Sequence, residues 1–437
     1  MRIGVDGRAF ESPAGGVRRY VHELYTAIRT IAPDLEIVAI GGSPSANLPA
    51  GIDRKHAVSF PTNLGWMAAS IPLAARTARL DVYHAPAYSA PLWGVHPQVV
   101  TIHDVSYERR PEWNAYKDDP FRRWFYRRSA YAADRIVTDS EFSRSEIVAA
   151  YGISKDRIDV VPLAASNAFT PGVFDAMAAP SGVRQPYALH VGDLHVRRNL
   201  TTALSAILAV RRAASSSSAI RLPSSDFRPP SSDVRPPSSD FRPPSSDFRP
   251  PSSDFRPPSS DFRLPSSDFR LPSSDFRLPS SDFGLSFVCA GIDRGTGAQL
   301  RAQAAAAGDP QALVLTGPVS EDALLNLYRG ASMLLYPSRY EGFGLPVLEA
   351  MQCGVPVIAA NASSIPELAG DAGILLDPLD VQAWVEAIEG LTQDSAARAR
   401  WSDAGVRRAA AFSWPRTAAE TLAVFRRCAG LREHAHS

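Results

Sequence analysis

Short apolar runs alternate with amphipathic or glycine-rich segments along most of the chain, and this alternation predicts parallel sheets with covering helices. In the first part of the chain, the runs that we predict to be strands are Arg2 to Val5, Glu36 to Ile40, Val82 to His84, Val99 to Ile102, Arg135 to Thr138 and Ile158 to Leu163. In the second part they are a run that begins at Tyr187, then Leu285 to Ala290, Ala312 to Gly317, Met333 to Tyr336 and Val355 to Ala360. The pattern therefore predicts an α/β fold.

Helices are predicted between these runs. A glycine-rich turn opens a helix that continues through Ile31, and Ser140 is a suitable N-cap for the helix in SEFSRSEIVAAYG. Further helical segments are Asn199 to Arg212, the segment ending at Ala307, Ser320 to Tyr328 and a final helix from Pro415 to Gly430.

One segment departs from this pattern. From Arg221 to Phe283 the chain repeats seven residues, RLPSSDF or RPPSSDF, in nine copies, with Val234 as the one break in the phenylalanine series. Proline in every copy excludes a continuous helix, and one phenylalanine among polar residues buries too little surface to offset the entropy of ordering. We therefore predict a disordered segment with polyproline character.

Composition narrows the function classes. The chain has 437 residues, 45% of them hydrophobic, and a formal net charge of +1, which argues against a nucleic-acid-binding protein. Cys289, Cys353 and Cys428 are too widely spaced to indicate disulfides or zinc, so a reducing cytoplasm is expected. Neither a signal peptide nor an apolar stretch of about 18 residues is visible.

The segment PSRYEGFGLPVLEAMQCGVPVIAAN contains two glutamates, Glu341 and Glu349, separated by seven residues and flanked by two predicted strands. Gly342 and Gly344 allow a tight turn, and the free amides of a helix start would face the crevice where α/β sheets bind ligands. Glu349 would accept hydrogen bonds from sugar hydroxyls, with Glu341 nearer the reacting centre. The alternative is a solvated loop glutamate and a glutamate on a helix face.

Other candidate residues also follow predicted strands. Gly15 and Gly16 lie in a strand-to-helix turn that suits phosphate, although most such turns are only turns. Arg197 and Arg198, in YALHVGDLHVRRNL, would project into the crevice and bind phosphate. His103, in TIHDVS, falls on the same edge of the sheet, where a structural His-Asp pair is the alternative.

His84, in VYHAP, is a second and weaker candidate histidine. The segment PFRRWFYRRSAYAADR, residues Pro120 to Arg135, combines arginines with aromatic residues. It suits either an anionic membrane surface or a surface helix whose aromatic side packs inward.

The glutamate segment closely resembles the E-x7-E motif of retaining nucleotide-sugar glycosyltransferases of family four, which have the GT-B fold of two Rossmann-like domains facing each other across a cleft. The chain is similar to bacterial mannosyltransferases of this family. The resemblance implies that Glu349 holds the nucleotide ribose and that Glu341 lies beside the donor sugar and diphosphate. It assigns His103 to the donor sugar. It assigns Gly15 and Gly16 to the loop that lines the diphosphate and the acceptor cleft.

Backbone amides from Gly342 through Phe343 and Gly344 to Leu345 are expected to stabilise the leaving phosphate, together with Arg197 and Arg198. The second signature resembles the V-G-x-x-x-P-R-K-N pattern of the family. Here Val196 replaces the proline and Arg198 the lysine, which keeps the charge and alters its geometry.

The resemblance further implies three parts: an acceptor domain at residues 1–170, a donor domain at 185–405 interrupted by the repeat 221–283, and a helix at 406–437 that crosses back to the first domain. The expected reaction moves a sugar, with mannose from GDP-mannose as the leading candidate, to a glycan or lipid-linked acceptor in cell-surface polysaccharide synthesis. No cofactor, metal ion or nucleic acid is expected. The expected location is the cytoplasm, with the inner face of the cytoplasmic membrane as the site of any peripheral contact.

Two alternatives remain open at this point. The first is a nucleotide-sugar epimerase of the same fold, which would act without an acceptor. The second is an inactive remnant disrupted by the repeat, or an interaction protein that uses it.

Overall fold

A computed structural model describes residues 1–12, 15–42, 48, 51–56, 69–113, 119–217 and 284–434. The repeat that we predict to be disordered, residues 221–283, lies outside the described residues.

The first half of the molecule is a seven-stranded parallel sheet with the strand order β3-β2-β1-β4-β5-β6-β7. Its strands are β1 (Arg2–Asp6), β2 (Glu36–Ile40), β3 (Arg54–His56), β4 (Val82–Ala85), β5 (Gln98–Thr101), β6 (Arg135–Thr138) and β7 (Ile158–Val160). The helices of this half are α1 (Gly15–Ile31), α2 (Ile71–Thr77), α3 (Ser106–Arg109), α4 (Pro120–Ala132) and α5 (Glu141–Tyr151).

The second half is a six-stranded parallel sheet with the order β10-β9-β8-β11-β12-β13. Its strands are β8 (Tyr187–Val191), β9 (Ser286–Ala290), β10 (Leu313–Gly317), β11 (Met333–Tyr336), β12 (Val357–Ala360) and β13 (Ile374–Leu376). Its helices are α6 (Leu200–Ser217), α7 (Gly297–Ala306), α8 (Glu321–Gly330), α9 (Leu345–Gln352), α10 (Ile365–Ala369), α11 (Val381–Gln393) and α12 (Ser395–Ala409). The prediction of two parallel α/β sheets is confirmed.

The last helix, α13 (Trp414–His434), packs against α1 of the first half. The hydroxyl of Thr417 donates a hydrogen bond to the carbonyl oxygen of Pro162 at 2.7 Å. Near the other end of the helix, Arg427 pairs with Asp159 at 2.8 Å. The C-terminal helix therefore contacts the half of the molecule that comes first in the sequence.

Arg211 in α6, which precedes the repeat, contacts the segment that follows the repeat. Its Nη1 donates a hydrogen bond to the carbonyl oxygen of Gly284 at 2.7 Å, directly before β9, and its Nε pairs with Asp309 at 2.6 Å. β9 lies beside β8 in the sheet. The sheet therefore continues from one side of the repeat to the other as in an uninterrupted α/β unit.

The candidate residues follow the carboxyl ends of parallel strands, which is where ligands bind in such sheets. His103 comes after β5, and Arg197 and Arg198 come after β8. The segment that carries Glu341 follows β11. The topology thus brings residues far apart in sequence to the same crevice.

Candidate active site

A cleft of about 860 Å³ lies between the two sheets. The residues that line it come from the start of α1, from the end of β8 and the segment after it, from the segment after β9, and from α8 and α9. They are Gly15, Gly16, Arg18, Arg19, His22, Glu23, Val191, Gly192, Asp193, Arg197, Arg198, Ile292, Arg294, Glu321, Leu324, Leu345, Pro346 and Glu349.

Glu349 is buried in α9 and has a partner for each carboxylate oxygen. Oε1 accepts a hydrogen bond from Arg19 Nη1 at 2.6 Å, and Oε2 accepts one from the Tyr328 hydroxyl at 2.8 Å. Burial raises the pKa of Glu349 above its ordinary value, while Arg19 and Tyr328 oppose that change. Arg19 belongs to α1 and Glu349 to α9, so the ion pair joins the two halves of the molecule across the cleft.

Arg198 lies at the end of a short 3-10 turn, Val196–Arg198. Its Nη1 contacts both the Tyr336 hydroxyl and Oε1 of Glu341, and its guanidinium carbon lies 5.4 Å from the centre of the Tyr336 ring. Burial lowers the pKa of Arg198, although arginine keeps its charge at any ordinary pH. The structure thus places a buried cation at the cleft with Glu341 as its counter-ion.

Arg197 is more exposed than Arg198. Its Nη1 lies 3.7 Å from Asp104 Oδ2, a contact between the two halves. Gly192 precedes both arginines and has a φ of 127°, a backbone conformation that L side chains rarely adopt. A Cβ on Gly192 would lie 3.4 Å from Arg198 Nη2, an ordinary van der Waals contact, so the backbone conformation is what favours glycine here.

The loop between β11 and α9 docks on the first half of the molecule. A Cβ on Gly342 would lie 2.3 Å from the carbonyl oxygen of His103, so only glycine allows this approach. The Gly342 carbonyl oxygen accepts hydrogen bonds from Ser140 Oγ at 2.7 Å and from Ser143 Oγ at 3.2 Å. Gly344 then adopts a φ of 103° as the residue before α9.

The Phe343 side chain does not line the 860 Å³ cleft. It packs edge-on against Phe412 and lines a separate cavity of about 260 Å³. The backbone carbonyl oxygen of Phe343 accepts a hydrogen bond from Ser364 Oγ at 2.9 Å. A role for Phe343 in donor binding therefore has to come from its backbone amide.

His103 lies beside the Gly342 loop, and its Nδ1 is 2.8 Å from Asp139 Oδ2. Burial lowers the pKa of His103, but the charge and hydrogen bond of Asp139, with the charge of Asp104, outweigh burial and raise it above its ordinary value. Nε2 is buried and has no hydrogen-bond partner among the described residues. Asp139 thus orients the ring, and Nε2 remains available for a hydrogen bond to a ligand.

His84, the second candidate histidine, lies in the core instead. Its Nδ1 is 2.8 Å from the Tyr25 hydroxyl and its Nε2 is 2.8 Å from Thr101 Oγ1. Burial lowers the pKa of His84 to about 3, so the ring is neutral. Both nitrogens are occupied, and a role in ligand binding for His84 is not supported.

The described residues contain no cluster of three or more His, Cys, Asp or Glu side chains that could hold a metal ion. The three cysteines are free and buried.

The structure adds several residues that sequence reasoning missed: Arg19, Asp139, Ser140, Tyr328 and Tyr336. Arg19 follows the predicted glycine pair by three residues and could have been included in that motif. Tyr336 ends a predicted strand. Ser140 was predicted only as a helix cap. The contacts that bring Asp139, Ser140 and Tyr328 to the site join residues more than 20 positions apart, which the sequence does not indicate.

Two family models match the chain. The model described as Glycosyltransferase Family 4 matches residues 14–165, and the model described as Glycosyl transferases group 1 matches residues 278–408. One match falls in each half of the molecule; β1 and β8 lie outside the matched ranges.

Similar proteins point in the same direction. An O-antigen chain mannosyltransferase B from Escherichia coli is 28% identical over 350 residues, which cover 79% of this chain and 74% of that protein. A D-inositol 3-phosphate glycosyltransferase from Salinispora arenicola is 36% identical over 138 residues, 31% of this chain and 30% of that protein.

Solved structures match over nearly the whole chain. A sucrose-phosphate synthase from Thermosynechococcus elongatus has a TM-score of 0.64 at 15% identity and covers 100% of this chain and 99% of its own. HepE from Anabaena, solved with UDP and glucose, has a TM-score of 0.59 at 16% identity, with 97% and 99% coverage. At these identities the likeness shows the GT-B fold. With two parallel sheets, a cleft lined by Glu349, Arg197 and Arg198, and a glycosyltransferase family model matching each half, the chain is a glycosyltransferase of the family-four type, similar to bacterial mannosyltransferases.

Proposed function

We propose that this glycosyltransferase moves mannose from GDP-mannose to a glycan or lipid-linked acceptor in cell-surface polysaccharide synthesis, with retention of the anomeric configuration. The observation that carries the proposal is the 860 Å³ cleft, where Arg19, Arg197 and Arg198 meet the start of α1 and the carboxylate of Glu349. Cationic side chains and helix starts suit a diphosphate, and a buried carboxylate suits ribose hydroxyls. The choice of mannose rests on the Escherichia coli relatives, which are named as mannosyltransferases.

Each part of the donor has a matching group in the cleft. Glu349 is held by Tyr328 and Arg19 and accepts hydrogen bonds from the ribose. Arg197 and Arg198 bind the diphosphate, and Gly15 and Gly16 face it from the opposite side of the cleft. The amides from Gly342 to Leu345, of which only Leu345 lines the cleft, also bind the diphosphate. The sugar lies toward His103 and Glu341.

In the reaction, a bond forms between an acceptor hydroxyl oxygen and the anomeric carbon while the bond from that carbon to the diphosphate oxygen breaks. The leaving phosphate oxygen takes the hydroxyl proton. Negative charge grows on the diphosphate as the bond breaks, and Arg198 stabilises that charge from a site shielded from water. Glu341, which is paired with Arg198, orients that guanidinium and lies beside the reacting sugar.

The donor is tested by thermal shift with a panel of nucleotide sugars and nucleoside diphosphates, followed by turnover assays with lipid-linked glycan acceptors. We expect the largest rise in Tm with GDP-mannose and GDP, because ligands that bind only the folded state stabilise it. Product NMR should show the donor's anomeric configuration. Epimerised nucleotide sugar formed without acceptor would instead identify an epimerase, and the absence of any nucleotide binding would indicate an inactive remnant.

Exposed aromatic and basic side chains lie together on the first half of the molecule, and we propose that they contact a lipid-linked acceptor's membrane. Along α4, Phe121 is 58% exposed and Trp124 is 49% exposed, and Trp93 on a neighbouring loop is 54% exposed. Trp93, Trp124 and Arg128 line a surface pocket of about 350 Å³. Phe125 and Tyr126 pack inward, so the helix meets the core with one side and presents aromatic residues on the other. We propose that this aromatic-basic surface binds the headgroup region of an anionic membrane.

In the described part of the chain, no helix has the length and apolar character needed to cross a membrane.

Replacing both Phe121 and Trp124 by serine should weaken binding to vesicles that contain phosphatidylglycerol by about tenfold or more. The double variant lacks the apolar surface of two aromatic rings that the parent buries in the membrane interface. Co-sedimentation measures this effect. The control is Leu379→Ser, which removes an apolar residue from the second half that is 65% exposed. Equal binding by the double variant and the control would contradict the assignment, as would equal binding of the parent to neutral vesicles.

A further inference from the structure

Glu367 of the second half caps a helix of the first half. Its Oε2 accepts a hydrogen bond from the backbone amide of Glu141 at 2.8 Å, and its Oε1 accepts one from the amide of Phe142 at 2.6 Å. Glu141 and Phe142 are the first two residues of α5, an 11-residue helix. The carboxylate of Glu367 therefore contacts the other half of the molecule.

A carboxylate at this position is well suited to holding the two halves together. The first amides of a helix have no partner within the helix, and the positive end of the helix dipole favours an anion. Both oxygens of Glu367 are used, and both hydrogen bonds are charge-assisted. The N-cap hydroxyl of Ser140 satisfies the next amide, that of Ser143, at 3.0 Å. Glu367 and Ser140 together therefore satisfy three amides of the first turn.

The first turn of α5 also contacts the loop between β11 and α9, which carries Glu341 and Gly342. The hydroxyls of Ser140 and Ser143 both contact the carbonyl oxygen of Gly342, and Ser143 Oγ also donates to the carbonyl oxygen of His103 at 3.0 Å. Asp139, one residue before the N-cap, holds the His103 ring. The first turn of α5 is thus the place where His103, from one half, and the loop after Glu341, from the other, are brought together.

We propose that Glu367 is a positioning residue that latches the two halves together and thereby holds the Glu341–Gly342 loop in register with His103. Its carboxylate touches neither the donor cleft nor the reacting atoms in this arrangement. It acts through α5, because a second half that is not held at the Glu141 and Phe142 amides can move the loop away from His103. The effect on turnover rests on the proposed function, whereas the effect on the position of the two halves does not.

The test compares Glu367→Gln and Glu367→Ala with the parent. Gln retains one acceptor oxygen and loses the charge, and Ala loses both hydrogen bonds. Asp371→Asn is the matched control, because Asp371 is an exposed carboxylate four residues further along the chain. Three quantities are measured: turnover, nucleoside diphosphate affinity by calorimetry, and the distance between spin labels on Thr30→Cys and Arg400→Cys by pulsed electron resonance. The native cysteines are buried, so labels attach to the introduced ones.

We expect Glu367→Gln to lower kcat by about tenfold and Glu367→Ala by more, since charge-assisted hydrogen bonds are lost. Nucleotide affinity should fall less than kcat does, because Glu349, Arg197 and Arg198 all lie in the second half and only Arg19 and the Gly15–Gly16 turn approach from the first half. The label distances should broaden toward longer values in both variants and stay unchanged in Asp371→Asn. Unchanged distances in Glu367→Ala would overturn the latch. If Glu367→Gln also lost nucleotide affinity and had a lower Tm, Glu367 would support the fold of the second half. That result would overturn the latch too. If the parent turns over no donor, the proposed function fails and the distances alone decide on the latch.

Discussion

Arg198→Ala is expected to lower turnover by about a hundredfold or more, the usual effect of removing one preorganised charge at a developing anion. Arg198 is buried, contacts Tyr336 and Glu341, and lies over the Tyr336 ring. Alanine would remove the cation and leave the Glu341 carboxylate buried without its counter-ion. Steady-state kinetics with saturating donor measures the effect on kcat.

The geometry of Arg198 makes the lysine variant informative. Lysine is the residue of the family signature, and its single ammonium can replace the charge but not the fork that reaches two partners at once. Arg198→Lys should therefore retain turnover within about tenfold of the parent. The control is Arg301→Ala, which removes an exposed arginine from α7. If Arg198→Ala turned over like the control, Arg198 would not face the diphosphate.

The sheets were predictable because parallel strands are buried on both faces. Met333–Tyr336 and Glu36–Ile40 were predicted with the bounds that they have in the structure, and both are largely apolar. β3 (Arg54–His56) is polar and β13 (Ile374–Leu376) has three residues, so neither produces an apolar run that sequence reasoning can detect. Both lie at the edge of a sheet.

Local hydrogen bonds were also predictable. Ser140 was expected to cap a helix, and its Oγ accepts a hydrogen bond from the amide of Ser143. The second use of Ser140, as a donor to Gly342, joins residues 202 positions apart. Propensity and spacing contain no information on such a pair, since it depends on how the two halves meet.

In the candidate site, too, residues were predictable from the sequence but their long-range contacts were not. The sequence indicated Glu349, Arg197, Arg198 and the glycine pair, and the structure places them around one cleft. It did not indicate that Arg19, 330 residues away, pairs with Glu349. The sequence ranked His84 below His103, but it did not show that both ring nitrogens of His84 have hydrogen-bond partners in the core.

Glu349→Ala is expected to weaken binding of GDP by about 1.5 to 3 kcal/mol, the value of a hydrogen bond to a charged group, which is about 10-fold to 150-fold in Kd. The carboxylate is buried, and Tyr328 and Arg19 fix its orientation. Its loss removes the acceptor that we assign to the ribose. Isothermal titration calorimetry with GDP measures the effect, with Glu386→Ala on the exposed side of α11 as the control.

Arg19 provides a way to separate the ribose contact from the ion pair. If Glu349 acted only by holding Arg19, then Arg19→Ala would weaken GDP binding as much as Glu349→Ala, and the double variant would be no weaker. A direct ribose contact predicts that Arg19→Ala costs less than Glu349→Ala. Unchanged GDP affinity in Glu349→Ala would remove the ribose assignment altogether.

The pH dependence of binding gives the same prediction a second readout. Burial raises the pKa of Glu349, so the carboxylate that accepts ribose hydrogen bonds is lost on acidification at a higher pH than for an exposed glutamate. The affinity of the parent relative to Glu349→Gln should therefore fall as the pH decreases through that raised pKa, since the Gln side chain does not titrate. In the Arg19→Ala background the fall should begin at a still higher pH, because Arg19 is one of the groups that lower the pKa of Glu349. A ratio of affinities that does not change with pH would mean that the charge of Glu349 plays no part in nucleotide binding.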